Sequence, residues 1–158
     1  MSSSKTAIIY FLALISFSVS GLAEPTSQPE SYAARIRMLE QALMPNSAGA
    51  MANLFAKANK ERNGALQYLL FSDQLKSKYK DSWPNWVSGT SSPWITSYTI
   101  KKIAETKNKW QFLISYQWAT AAGPFYPPLV QQITIESIPE TANSAAKLWI
   151  TQFDEVKN

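Results

Sequence analysis

Six tryptophans, and neither histidine nor cysteine, define what this 158-residue chain can do chemically. Ser-His-Asp and Cys-His nucleophile systems cannot be built from it, nor can zinc sites that use His or Cys. The eleven acidic residues are scattered. Their nearest pairs, Asp154-Glu155 and Glu136 with Glu140, lack calcium-loop spacing, so neither a metal nor a cofactor is expected. What remains is recognition by aromatic and polar side chains. Trp83, Trp86 and Trp94 bracket a segment rich in turn residues and could form a platform for a sugar, a peptide or an apolar ligand. The same rings could instead plug the open end of a small domain, with Ser88, Ser91 and Ser92 supplying acceptors for the indole N–H groups. Packing is the commoner fate of such clusters.

Two further sets of residues carry the same ambiguity. Trp110, Phe112, Ile114, Tyr116 and Trp118 alternate with Lys109, Gln111, Leu113, Ser115 and Gln117, which marks a strand with one aromatic face. Helices covering that whole face would make it core; a pocket left open would be lined by Tyr98, Tyr116 and Trp118. Arg62, in Arg62-Asn63-Gly64, could hold a carboxylate bidentately. The plainer reading is that Asn63 and Gly64 end a helix, with Gly64 in the left-handed conformation and Arg62 donating to the last carbonyls.

The elements that must position these residues fall into two halves. Tyr32, Ile36, Leu39 and Leu43 recur at helical spacing, and Pro45 ends that helix. Its apolar stripe needs cover, either by docking on the domain, the simpler expectation, or by another protein. Asn46 or Ser47 can cap a second helix with Met51, Leu54, Phe55 and Ala58 on its apolar face. Leu66, Leu69 and Leu70 suggest a third, and Ser72 opens a fourth. Lys76, Lys78 and Lys80 read as a solvated face. Beyond the Trp loop the period becomes two: a strand from Trp94, a turn at Thr106-Lys107-Asn108, and the aromatic strand. Gly123–Pro128 reads as a stiff crossover that interrupts pairing. Two more strands follow, Val130–Ile138 and Ala146–Val156. Helices first and an antiparallel four-strand meander second predict an α+β domain with the helices on one face of a curved sheet.

The N-terminus points to a compartment. Lys5 precedes the apolar run Ala7–Phe17, and Gly21-Leu22-Ala23 closes it with small residues, the build of a secretory leader cleaved after Ala23. Ser16, Ser18 and Ser20 interrupt the run before it reaches membrane-spanning length. The expected organisation is a signal peptide at 1–23, a leader and amphipathic helix at 24–45, and one domain at 46–158, periplasmic or secreted. The formal charge of +4 is too mild for a nucleic-acid footprint.

Helices followed by a meander with an aromatic face resemble the nuclear-transport-factor-2-like fold, whose sheet curls around helices as a cone. A more specific resemblance lies in Ala56–Trp94. Phe55-Ala56-Lys57-Ala58, Arg62-Asn63-Gly64-Ala65-Leu66-Gln67-Tyr68, Leu75-Lys76 and Gly89-Thr90-Ser91-Ser92-Pro93-Trp94 look like a bacterial extracytoplasmic domain of unknown function. That domain is found alone or attached to membrane metallopeptidases of the beta-lactam-antirepressor type. No metallopeptidase motif is present, so peptidase activity is not implied. Ketosteroid-isomerase-like relatives of the fold use a pocket Asp base and a Tyr donor. Here Asp73, Asp81 and Asp154 fall at a helix start, in the loop and at a strand end, none on an inner strand face.

The expectation is therefore a non-enzymatic binding or interaction domain that takes a small apolar or peptide ligand or a cell-envelope protein. It binds no nucleic acid and has no stable membrane insertion after cleavage. One alternative is a small-ligand-binding or isomerase-like protein using the cone cavity. Another is a structural subunit docked to an envelope partner through the 32–43 helix.

Overall fold

The computed structural model describes residues 28–79, 92–139 and 146–156; the expected leader and the loop carrying Asp81, Trp83 and Trp86 lie outside them. Among the described residues four helices precede four strands. The helices are α1 (Gln28–Leu43), α2 (Ala48–Lys60), α3 (Gly64–Leu69) and α4 (Asp73–Tyr79). The strands are β1 (Trp94–Thr106), β2 (Lys109–Thr120), β3 (Gly123–Pro139) and β4 (Ala146–Glu155). They form one sheet in the order β1-β2-β3-β4, each antiparallel to the next. The protein is α+β, with helix residues buried against one sheet face.

That face is set by strand alternation. Phe112, Ile114 and Tyr116 of β2, Ile133 and Ile135 of β3, and Ile150 and Phe153 of β4 are buried together with Met51, Ala52, Phe55 and Ala56 of α2. Small Ala52 and Ala56 bring the α2 backbone close to the sheet, and Phe55 fills the space beside them. Its ring lies 6.0 Å from Phe71 and 5.7 Å from Phe153, so the aromatic centre of the core joins α2, the α3–α4 connector and β4. The connector is tied down by backbone bonds: Ser72 N–H donates to the Ile150 carbonyl and Ile150 N–H to the Leu70 carbonyl, both at 2.9 Å.

Three expectations are corrected. Gly123–Pro128 is not a crossover outside the sheet but the first part of β3: Thr120 faces Gly123 and Trp118 faces Phe125, and the expected break is confined to a register shift over residues 126–128 before Leu129 faces Tyr116. The prolines are tolerated because β4 pairs with β3 only from Gln131 onward, leaving this stretch an edge on its far side. Gly123 has φ of 123°, a conformation L side chains rarely adopt, and so allows the tight β2–β3 turn.

The second correction concerns the end of α2. Arg62, not Gly64, is the left-handed residue, with φ of 59°. Arg62 N–H donates to the Asn59 carbonyl at 3.0 Å and Asn63 N–H to the Ala58 carbonyl at 2.7 Å. These are the two bonds of a Schellman ending. Gly64 opens α3 instead, and Asn63 caps it by accepting from Leu66 N–H at 2.9 Å.

The third correction is the largest. α1 does not dock its apolar stripe on the domain: every residue from Glu30 to Leu43 is exposed. No helix among the described residues is long and apolar enough to cross a membrane.

Candidate functional site

α1 presents the most conspicuous uncovered surface. Tyr32, Ile36, Leu39 and Leu43 are 54–65 % exposed, although each is a residue type that folding normally removes from water. They share one side because three- and four-residue steps return to the same helix face. Another side of the helix faces its own domain across an open groove. Arg37, Glu40, Gln41 and Met44 line this groove of about 730 Å³ against Asp73 of α4 and Trp149 of β4. A helix turns about 100° per residue, which places Arg37, Gln41 and Met44 well around the cylinder from the apolar seam. The groove between α1 and the domain therefore lies away from the seam and leaves it uncovered.

A second exposed group lies at the sheet end formed by the start of β1, the end of β2 and the start of β3. Trp118 faces Phe125 across the ladder with ring centroids 5.2 Å apart, and its indole N–H donates to the Pro127 carbonyl at 2.8 Å. Phe125 and Tyr126 remain exposed. Trp94 pairs with Ala119 and is 40 % exposed, so removing its ring does not empty a buried site.

Tyr98 and Tyr116 also meet across the β1–β2 ladder, with centroids 6.2 Å apart. Tyr98 is half-buried and donates to Asn53 Oδ1 at 3.0 Å, whereas Tyr116 is fully buried. Arg62 reaches the Pro93 carbonyl at 2.6 Å, tying the end of α2 to the entrance of β1 rather than capping its own helix with its side chain. The aromatic residues singled out in the sequence thus divide between core (Tyr116), core margin (Tyr98) and the sheet end, where Trp94 is exposed and Trp118 half-buried. Trp83 and Trp86 lie outside the described residues.

A buried polar cluster sits beneath the C-terminal half of α2. Asn59 Nδ2 donates to Gln131 Oε1 at 3.3 Å, and Gln67 Nε2 donates to the Phe55 carbonyl at 3.4 Å. Among the described residues, three buried side-chain atoms have no hydrogen-bond partner: Gln67 Oε1, Tyr116 Oη and Gln131 Nε2. Burial pushes the Tyr116 hydroxyl far above the ordinary tyrosine range. The nearby Asn59 side chain draws it part of the way back without forming a well-aligned bond. Asn59 and Gln131 drew no notice in the sequence. Their signal was positional, since each polar residue occupies an otherwise apolar register: Asn59 one turn after Phe55, and Gln131 two before Ile133.

No family model matches the chain, and no curated protein matches it.

The remaining charged contacts are superficial. Glu105 is paired with Lys102 and accepts from the Trp110 indole at 2.9 Å. The Lys102 hydrogen bond, more than any other influence, lowers its carboxyl below the usual range. Lys76 does more than face solvent: its ammonium lies 5.2 Å from the Trp149 ring centroid. Among the described residues, no three His, Cys, Asp or Glu side chains are grouped to hold a metal ion.

Proposed function

We propose that this chain is a periplasmic or secreted, non-enzymatic interaction module of the nuclear-transport-factor-2-like kind, and that α1 is the element its partner engages. The observation that carries the proposal is the exposed seam of Tyr32, Ile36, Leu39 and Leu43 on a helix whose other side lines a groove facing its own domain. Helices packed on one face of a four-strand antiparallel sheet are compatible with the cone. The acids support a non-enzymatic reading: Asp73 and Asp154 are both exposed, and Asp154 pairs with Gln132, whose side chain alternates to the opposite sheet face from Gln131 of the polar cluster.

The seam variant Leu39→Asp tests this directly. A seam free of its own domain leaves the melt of a dilute sample within about 0.5 kcal/mol of wild type, as for exposed sites generally. Phe55→Ala in the same experiment should cost about 3–5 kcal/mol, because it empties a core position. A Leu39→Asp loss approaching that of Phe55→Ala would show that α1 packs internally and would end the proposal.

One observation favours a second reading. The unpartnered atoms of Gln67, Tyr116 and Gln131 are suited to a small polar ligand group or a water taken into the domain interior. Tyr116→Phe distinguishes them: lost stability would mean that the hydroxyl is satisfied in solution.

A further inference from the structure

We infer that α1 pairs in parallel with α1 of a second copy of this chain. The inference rests on the reading of α1 as a docking element and names its partner. Tyr32, Ile36, Leu39 and Leu43 follow one another at steps of four, three and four residues, the seam of a two-heptad coiled coil. Ile36 and Leu43 then occupy a positions, and Tyr32 and Leu39 occupy d positions. A β-branched residue at a beside Leu at d is the combination that favours two parallel strands.

Charge selects the orientation. In this register Arg35 falls at g and Glu40 at e, one on each flank of the seam. A parallel pair sets each g position against the partner's e position five residues on. Arg35 therefore faces the partner's Glu40, and symmetry makes the contact twice. An antiparallel pair would set g against g and e against e, where no opposite charges meet. Among the described residues, neither Arg35 nor Glu40 has an ion pair within its own chain. The groove between α1 and the domain lies around the cylinder from the seam, with Glu40 at its near edge, so the seam is open to a second helix. Two heptads are short, and helices of this length are marginal alone, so the dimer is expected to be weak and dependent on concentration.

The test is sedimentation equilibrium, from low to several hundred micromolar, on protein purified from cells expressing the whole sequence. Wild type is expected to pass from monomer to dimer, and Leu39→Asp to stay monomeric with an unchanged melt. Arg35→Glu and Glu40→Arg should each weaken the dimer about tenfold, since each turns two attractions into two repulsions. The double variant Arg35→Glu with Glu40→Arg should recover it. Wild type that is monomeric throughout, with an unchanged Leu39→Asp melt, would overturn the second-copy inference and leave α1 as a docking element for another partner. A dimer that survives Leu39→Asp would place the interface elsewhere and overturn it too. A double variant as weak as the singles would overturn the parallel register. A collapsed melt in Leu39→Asp would instead defeat the docking reading itself.

Discussion

Tyr116 carries its hydroxyl into the interior with no exposure and, among the described residues, no hydrogen-bond partner. Removing an unsatisfied buried hydroxyl is neutral or stabilising, by about 1 kcal/mol at most, because the group has already lost its water. Tyr116→Phe should therefore melt at or above wild type at neutral pH. The alkaline limb follows from the direction of the shift. The folded state holds this proton above the ordinary tyrosine pKa of about 10, while the unfolded chain releases it there. The contribution is complete below that pH and is lost as pH rises beyond it. Melts across that range should show wild type falling away faster than Tyr116→Phe; identical alkaline limbs would mean that Tyr116 ionises freely in the folded protein. Arg62 offers a backbone counterpart. A non-glycine left-handed residue carries a penalty of about 1–2 kcal/mol, which Gly does not. Both Arg62→Gly and Arg62→Ala lose the bond to Pro93, but Arg62→Ala should be the less stable by about 1 kcal/mol in denaturant titrations. Equal stabilities would show that the left-handed turn is not strained.

At the scale of elements, what was legible in the sequence followed from periodicity. The alternation in Trp110–Trp118 located β2 and its buried face, and helical spacing located α1 and α2. Ser47 was one of two candidate caps and is the one used, accepting from Ala50 N–H at 3.2 Å. The illegible features depended on neighbours. Gly123–Pro128 looks like a loop because proline cannot donate to a ladder, and nothing local reveals that β4 stops short of it. Gly64 looks like the natural left-handed residue, yet the helix ends two residues earlier and leaves that role to Arg62. The core's aromatic centre was missed because Phe55, Phe71 and Phe153 lie on three elements and share no local pattern. The exposure of α1 was equally invisible, since an amphipathic stripe shows that cover is needed and not which molecule supplies it.

At the scale of the whole molecule, two bodies of apolar surface have opposite fates. One is sealed between α2, the α3–α4 connector and the inner sheet face; the other is carried outward on α1. A small domain without disulfides depends on the first for stability. The second contributes nothing to its own fold and so is available for association. Amide hydrogen exchange of α1, followed as the protein is diluted and with α2 as the internal reference, tests this division most directly. If α1 is protected by contact between molecules, its protection falls on dilution while that of α2 stays constant. Protection of α1 as strong as that of α2 and independent of concentration would contradict the account, because the seam would then be buried against its own domain.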